Sequence, residues 1–290
     1  MKYGIFFANV GRFADPAPFA ALVTGAERHG FESVWTVEHV VIPVGYQATY
    51  PYDPSGRIPI PSDTALPDPL LPLAYAAALT RTIKLATGIL ILPQRHPFYI
   101  AKEAATLDRL SNGRFLLGVG IGWMKDEFDA LGIPFDERAG RTDATIRAMR
   151  SLWQGEPAAF ESRYFRWGAV EMHPKPLGAR GVPIVIGGHS AASARRAARY
   201  GDGFFPAVTT PAEVSALREV IARECEVVGR DPDAIEITAL LGADEPGAAE
   251  AMAAAGVARL LIGYGMGAAA TPDDIDAWLR GFAARFIDTA

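Results

Sequence analysis

A glutamate and a histidine stand side by side directly after a short apolar run. Glu38 and His39 follow the run at residues 33–37. If such runs are parallel strands of a barrel, their carboxyl ends converge on one mouth, where reactive side chains lie. A neutral imidazole can donate or accept a hydrogen bond there, and the adjacent carboxylate can orient it or contact a ligand. The alternative, an exposed Glu-His pair at the start of a loop, stays open on spacing alone.

Two glycines and two polar residues follow another apolar run. Gly187, Gly188, His189 and Ser190 come directly before a stretch with helical periodicity. Glycines let backbone N–H groups approach an anion closely, and the N-terminus of a helix adds a partial positive charge. The pattern predicts a phosphate site at residues 187–190, although paired glycines also occur in tight turns.

A third glycine-rich segment ends in a tryptophan. Gly118, Gly120 and Gly122 precede Trp123, but their spacing lacks the last glycine of the dinucleotide fingerprint. We interpret them as letting a planar ring lie close to the backbone. The alternative is that they only relieve crowding inside a barrel.

Other chemistries find little support in the sequence. The five histidines show no spacing typical of a metal site, so we predict no metal. Cys225 is the only cysteine, which excludes an internal disulfide, and no Gly-x-Ser-x-Gly elbow is present.

The elements that must position these residues alternate regularly along the chain. Eight short apolar runs are each followed by an amphipathic stretch, the pattern of a parallel sheet covered by helices. The runs lie near residues 3–8, 33–37, 83–91, 114–119, 182–186, 203–206, 235–241 and 259–262. We therefore predict an α/β fold, a (β/α)8 TIM barrel.

Two insertions interrupt the alternation. Residues 42–69 form a Pro-rich loop after the second strand, with Tyr46, Tyr50, Tyr52 and Arg57. A stiff aromatic loop at a barrel mouth can cover a flat ligand, so we predict a lid. Residues 156–176, before the fifth strand, predict a small hairpin outside the barrel.

Bulk properties narrow the class of protein. A chain of 290 residues, half of them hydrophobic, can form one barrel domain over residues 1–290. The net charge of −5 argues against a nucleic-acid partner. No apolar run is long enough to cross a membrane, and the first residues lack the pattern of a signal peptide, so we expect a cytoplasmic protein.

Several segments together resemble the luciferase-like monooxygenase superfamily, in particular its branch that uses the deazaflavin coenzyme F420. The similarity extends over nearly the whole chain. The segments that carry it are residues 33–39, 86–93, 105–115, 118–123, 186–190 and 200–203.

The resemblance implies roles for particular residues. It implies a cis peptide bond at Gly88–Ile89 that bulges against the cofactor ring, and it places Glu38 and His39 at the ring as catalytic residues. The full set of implied cofactor contacts is Glu38, His39, Gly88, Ile89, Ile91, Ile121, Gly122, Asp126, Gly187, Gly188, His189, Ser190 and Ala191.

One departure from the family pattern bears on the substrate. Relatives that oxidise sugar phosphates have a glutamate at the position of Trp123 and an asparagine at that of Asp126. Without that proton donor, we expect an apolar substrate pocket, with Trp123, Tyr46 and Tyr50 as its walls.

Three functions remain open at this point. The resemblance favours an F420-dependent oxidoreductase that transfers a hydride between the deazaflavin and a small, fairly apolar organic molecule. The second is an FMN-dependent monooxygenase, which would need a partner enzyme that supplies reduced flavin. The third is a flavin-binding protein without catalysis. The family resemblance also predicts a homodimer.

Overall fold

The parallel strands of this protein close into a barrel. The computed structural model describes residues 1–207, 210–242, 247–265 and 271–288. The strands follow the order β3 (Lys84–Thr87), β2 (Ser33–Thr36), β1 (Lys2–Phe6), β11 (Arg259–Gly263), β10 (Glu236–Leu240), β9 (Gly203–Phe205), β8 (Ile184–Gly187), β5 (Phe115–Gly120) and β4 (Leu90–Ile91). A pairing of β3 with β5 closes the ring. β3 and β4 are two halves of one barrel strand, separated by a cis bond at Gly88–Ile89. The predicted eight-stranded barrel and the predicted cis bond are both confirmed.

Strands and helices alternate as expected. The barrel strands are β1 Lys2–Phe6, β2 Ser33–Thr36, β3 Lys84–Thr87, β4 Leu90–Ile91, β5 Phe115–Gly120, β8 Ile184–Gly187, β9 Gly203–Phe205, β10 Glu236–Leu240 and β11 Arg259–Gly263. The helices are α1 Pro16–Arg28, α2 Leu70–Leu79, α3 Pro97–Leu110, α4 Lys125–Ala130, α5 Arg138–Trp153, α6 Ala191–Tyr200, α7 Pro211–Val228, α8 Ala248–Ala254 and α9 Pro272–Phe286.

Local sequence explains where the helices begin. Thr210 and Thr271 each precede a proline, and their hydroxyls accept hydrogen bonds from the N–H groups of Glu213 and Asp274. Asp15 precedes Pro16 in the same way, but its side chain makes no capping hydrogen bond.

The barrel interior is filled with side chains beneath the mouth. Phe6, Trp35 and Phe205 pack together, with ring centroids of Phe6 and Trp35 at 5.4 and 5.7 Å from that of Phe205. Ala86, Val185 and Leu261 complete this cluster. We call these six residues the aromatic floor. These side chains fill the barrel interior beneath the ends of the strands.

The two insertions have different structures. β6 Ala158–Glu161 and β7 Arg166–Val170 pair antiparallel in a separate two-stranded sheet, which confirms the predicted hairpin. Residues 42–69 contain no helix or strand and lie across the mouth between β2 and α2. Among the described residues, no helix is long and apolar enough to cross a membrane.

Candidate active site

His39 is held at the mouth by a glutamate that the sequence analysis did not identify. Its Nδ1 lies 2.9 Å from Oε2 of Glu127 in α4, and the other oxygen of Glu127 accepts hydrogen bonds from the backbone N–H groups of Val40 (2.7 Å) and Val41 (3.3 Å). The Glu127 side chain is 1% exposed and that of His39 is 13% exposed. Since a carboxylate only accepts, we assign the proton to Nδ1 of His39, which leaves Nε2 for a ligand.

Glu38 is engaged inside the protein. Its carboxylate accepts hydrogen bonds from the N–H of Ile91 (2.6 Å) and from Arg95 (2.5 Å), and its side chain is 2% exposed. Burial raises the pKa of Glu38, and the guanidinium of Arg95 opposes that shift. In this arrangement Glu38 fixes the turn after β4 to the end of β2. Its predicted contact with a cofactor and its catalytic role stay predictions.

The glycines of β5 and β8 make room for the bulge at Gly88–Ile89. A Cβ at Gly118 would lie 1.8 Å from the carbonyl oxygen of Thr87. Cβ atoms at Gly120 and Gly187 would lie 2.6 and 2.5 Å from the side chain of Ile89. This crowding supports the alternative that Gly118 and Gly120 relieve contacts inside the barrel, while the interpretation that they let a planar ring lie close to the backbone stays a prediction.

Gly122 has a packing reason of its own. Its φ is +78°, which favours glycine, and a Cβ there would lie 2.7 Å from Phe128 and 2.8 Å from Ile91. Ile121 is half-buried at the end of β5. Both residues directly follow β5, and the cofactor contact that the resemblance implies for them stays a prediction.

The turn predicted to bind phosphate joins β8 to α6. Gly188 has a φ of +120°, and its N–H donates to the carbonyl of Phe205 at 3.1 Å. The N–H of Ser190 donates to Oγ of Ser193 in a capping box. The N–H groups of Gly188 and Ser190 are thus already hydrogen-bonded within the protein. The residues His189, Ser190 and Ala191 at the start of α6 are exposed, and the predicted phosphate contact there stays a prediction.

A chain of aromatic rings crosses the mouth from β2 to β8. The ring of Trp123 lies 5.7 Å from that of His39 and 5.1 Å from that of Tyr50. Tyr50 contacts Tyr52 at 5.5 Å, and Tyr52 contacts His189 at 5.0 Å. Burial raises the pKa of Tyr50 to about 12. The lid predicted from the Pro-rich loop is therefore folded over the mouth.

The lid is fixed to the barrel by the carboxylate of Asp126 and by the ring of Trp123, and a cation holds part of the lid together. Asp126 of α4 accepts hydrogen bonds from the N–H groups of Gln47 (2.9 Å) and Ala48 (3.1 Å), which lower the pKa of its carboxyl. Arg57 lies over the ring of Tyr46, 4.9 Å from its centroid, and Tyr46 lies 5.9 Å from Trp123. The structure thus brings the rings of Trp123, Tyr46 and Tyr50 together, and Asp126 holds the lid. The substrate pocket predicted at these rings and the cofactor contact predicted for Asp126 stay predictions.

A metal site finds no support in the part of the chain that the structure describes, where no cluster of His, Cys, Asp and Glu could hold an ion.

The barrel, with its lid after the second strand and its cis bond in the third, defines an α/β-barrel protein of the luciferase-like class. The family model described as luciferase-like monooxygenase matches residues 1–286, and the chain belongs to this family. Members of the family are oxidoreductases and monooxygenases.

Relatives of known sequence include proteins named for either cofactor. An uncharacterised protein of Mycobacterium tuberculosis (strain H37Rv) is 34% identical over 215 residues, 74% of each chain. An F420-dependent glucose-6-phosphate dehydrogenase of Nakamurella multipartita is 32% identical over 231 residues, 76% of this chain and 61% of the relative. An FMNH2-dependent dimethylsulfone monooxygenase of Pseudomonas fluorescens is 36% identical over 131 residues, 44% of this chain and 35% of the relative.

Solved structures share the fold over nearly the full length. The monooxygenase RslO1 of Streptomyces bottropensis superposes with a TM-score of 0.75 at 25% identity, covering 100% of this chain and 99% of its own. An F420-dependent secondary alcohol dehydrogenase, solved with an F420-acetone adduct, gives a TM-score of 0.73 at 19% identity and covers 96% of this chain and 97% of its own. The second likeness concerns the fold alone.

Proposed function

We propose that this protein is a coenzyme F420-dependent oxidoreductase that exchanges a hydride with a small, apolar organic substrate at the barrel mouth. The observation that carries the proposal is the fixed imidazole of His39, whose Nδ1 is bonded to the buried Glu127 at 2.9 Å. A histidine held in one tautomer and one orientation is suited to transferring one proton at its free nitrogen, Nε2.

The described mouth fits a flat cofactor with an anionic tail. The aromatic floor lies below, and the rings of Trp123, Tyr50 and Tyr52 lie across the opening. Ile89, Ile91, Ile121 and Gly122 would border the ring, and His189, Ser190 and Ala191 at the exposed start of α6 would hold the phosphate. We call the path from these ring-bordering residues to the start of α6 the predicted cofactor track. The chain of aromatic rings runs along it and ends at His189.

The chemistry divides between cofactor and protein. When bound, the deazaflavin supplies or accepts a hydride and does not react readily with oxygen. Nε2 of His39 accepts a proton from an alcohol in one direction, and the imidazolium donates one to a carbonyl oxygen in the other. Glu127 orients this ring and stabilises its charged form.

A substrate other than a sugar phosphate is part of this proposal. The family resemblance places Trp123 where sugar-phosphate-oxidising relatives have a glutamate, and its indole contacts the rings of His39, Tyr46 and Tyr50. An aromatic wall favours an apolar ketone, enone or secondary alcohol.

An FMN-dependent monooxygenase is the second candidate. The observation that favours it is the 36% identity to the FMNH2-dependent dimethylsulfone monooxygenase over 131 residues. That function would require a partner enzyme that supplies reduced flavin and a lid that excludes water during the reaction.

Anaerobic turnover separates the two candidates. Purified protein is mixed with reduced F420 and cyclohex-2-enone, and the return of the oxidised cofactor is followed by absorbance. We expect turnover, with kcat about 100-fold lower in His39→Asn because its proton transfer is lost. The exposed His173 provides the control variant His173→Asn.

Two results would overturn the proposal. One is full turnover by His39→Asn. The other is activity that depends on reduced FMN and oxygen, with no oxidation of reduced F420 by any enone, ketone or alcohol tested.

A further inference from the structure

A cavity of about 420 Å³ opens beside the mouth, away from Trp123. Phe7, Val10 and Phe13 line it from the loop after β1, Ile60 and Pro61 from the lid, and Tyr264 from the loop after β11. None of these residues is among the catalytic, cofactor or substrate residues predicted from the sequence. The volume lies in the range typical of pockets for small organic ligands.

The cavity adjoins the place where the cofactor ring is proposed to lie. The ring of Phe7 is 4.0 Å from that of Phe6, a residue of the aromatic floor. Phe6 in turn lies 3.1 Å from the Cβ position of Gly88, at the cis bulge. The ring of Phe6 therefore lies between Phe7, in the cavity wall, and the cis bulge at Gly88.

The same wall is bonded to the segment that carries His39. Asn9 is fully buried, and its amide both donates to the carbonyl of Val37 (2.9 Å) and accepts from the N–H of Val37 (2.8 Å). The loop after β1 thus keeps a fixed position relative to His39, two residues further along.

Phe7 has a backbone conformation that costs free energy. Its φ is +59°, in the left-handed region that bulky residues rarely adopt, and its side chain is 38% exposed. Such residues cluster at ligand sites, where the surroundings hold them in place. Here the conformation keeps an aromatic ring at the rim of the cavity.

The second half of the lid forms the roof of the cavity. The N–H of Gly11 donates to the carbonyl of Ala65 at 2.8 Å, which joins this half of the lid to the loop after β1. The lid therefore has two parts: residues 46–52 lie over the predicted cofactor track, and residues 59–64 cover the cavity.

We propose that this cavity binds the body of the substrate, and that the substrate is an uncharged hydrophobic ring system. The inference rests on the proposed function for the identity of the ligand as substrate. Most of the lining is aliphatic or aromatic, and Arg12, the charged side chain among the described lining residues, already has an interaction within the protein. A charged ligand would lose its hydration here and would find no available counter-ion in compensation. An apolar ring, by contrast, gains binding free energy when it is buried.

Binding of a neutral probe tests the cavity without turnover. N-phenyl-1-naphthylamine is titrated into the full-length protein and followed by fluorescence, and F420 binding is titrated separately. In Ile60→Arg a charge replaces an apolar wall, so we expect the Kd for the probe to rise at least about 10-fold while the Kd for F420 stays within about 2-fold.

Two further variants separate the cavity from the lid as a whole. Val44 is in the first half of the lid and 99% exposed, so Val44→Arg is expected to leave both affinities unchanged. Ile60→Val keeps the apolar wall and is expected to bind the probe nearly as the wild type does. Circular dichroism melts check that each variant is folded.

The results of these titrations either support or overturn the inference. Unchanged probe affinity in folded Ile60→Arg overturns the inference, and so does a parallel loss of F420 affinity, which would assign the cavity to the cofactor. If the wild type binds no F420 but Ile60→Arg loses the probe, the apolar pocket stands and the proposed function fails.

Discussion

At the scale of single residues, the proposed proton transfer depends on which nitrogen of His39 is available to the substrate. Glu127 receives hydrogen bonds from His39 and from two consecutive backbone N–H groups, and it is almost wholly buried. A carboxylate in this position fixes both the tautomer and the orientation of the imidazole. Glu127 is therefore a positioning residue, and its removal should affect proton transfer more than binding.

The first prediction concerns Glu127→Gln. The amide must place an NH2 group against either His39 or Val40, each of which already donates, so one hydrogen bond is lost. We expect kcat to fall about 10- to 100-fold with little change in KM.

Asp129 provides the matched control for this prediction. It lies in the same helix, its side chain is 57% exposed, and it pairs with Lys125. Asp129→Asn should leave kcat and KM unchanged. A Glu127→Gln enzyme with a lower melting temperature but an unchanged kcat would reduce Glu127 to a structural role.

Sequence could indicate His39 but not its partner. His39 follows directly on a strand end, and that position alone selects it. Glu127 lies 88 residues away, and only the closure of the barrel brings α4 over the end of β2. The one signal available was a glutamate in the first turn of a helix that follows a barrel strand.

At the scale of elements, the cis bulge and the glycines of the neighbouring strands form one packing unit. β5 and β8 place Gly118, Gly120 and Gly187 where any side chain would meet β3 or Ile89. From sequence, Gly187 is predicted to contact a phosphate, and for Gly118 and Gly120 both a nearby planar ring and crowding are open explanations. Sequence alone could not identify the crowded neighbour of Gly118, because Thr87 is brought close only by strand pairing.

The second prediction follows from this packing. Gly118→Ala would place a methyl group 1.8 Å from a backbone oxygen that cannot rotate away. We expect a loss of about 2–4 kcal/mol in the free energy of unfolding, measured by urea denaturation. Gly168→Ala in the hairpin, where no atom lies within 4 Å of the new Cβ, should change it by less than about 0.5 kcal/mol. Equal stability of the two variants would contradict the packing account.

The third prediction concerns pH and the junction of α1 with β3. Burial of the Glu27 carboxyl raises its pKa, but hydrogen bonds from Thr82, Ile83 and Arg81 outweigh this and lower it to about 2. Because the folded pKa lies below the ordinary 4.5, Glu27 stabilises the fold above pH 4.5, and that stabilisation is lost as the pH falls toward 2.

Comparison of Glu27→Gln with the wild type measures this contribution. The carboxyl is partly solvated, so we expect a difference of only about 1–2 kcal/mol in the free energy of unfolding at pH 6, smaller at pH 3.5. The exposed Glu226 provides the control variant Glu226→Gln. A difference that grows on acidification would have the wrong sign for this explanation.

At the scale of the whole molecule, the two ends of the barrel differ in kind. The end opposite the mouth is closed by the buried Arg259, which pairs with Glu32 and Glu236, each at 2.7 Å. The mouth carries His39, the lid and the cavity. Alternation of strands and helices was enough to predict the barrel, but the separate positions of the two lid halves depend on contacts far apart in sequence. The homodimer stays a prediction.

The central claim is that the mouth binds a deazaflavin, with its phosphate at the start of α6. The direct measurement is a fluorescence titration of the purified protein with F420 and, separately, with FMN, for the wild type and for Gly188→Asp, which adds a negative charge at the turn. We predict that F420 binds at least about 10-fold more tightly than FMN and that the folded variant loses most of this affinity. Tighter binding of FMN, or undiminished F420 binding by Gly188→Asp, would contradict the claim.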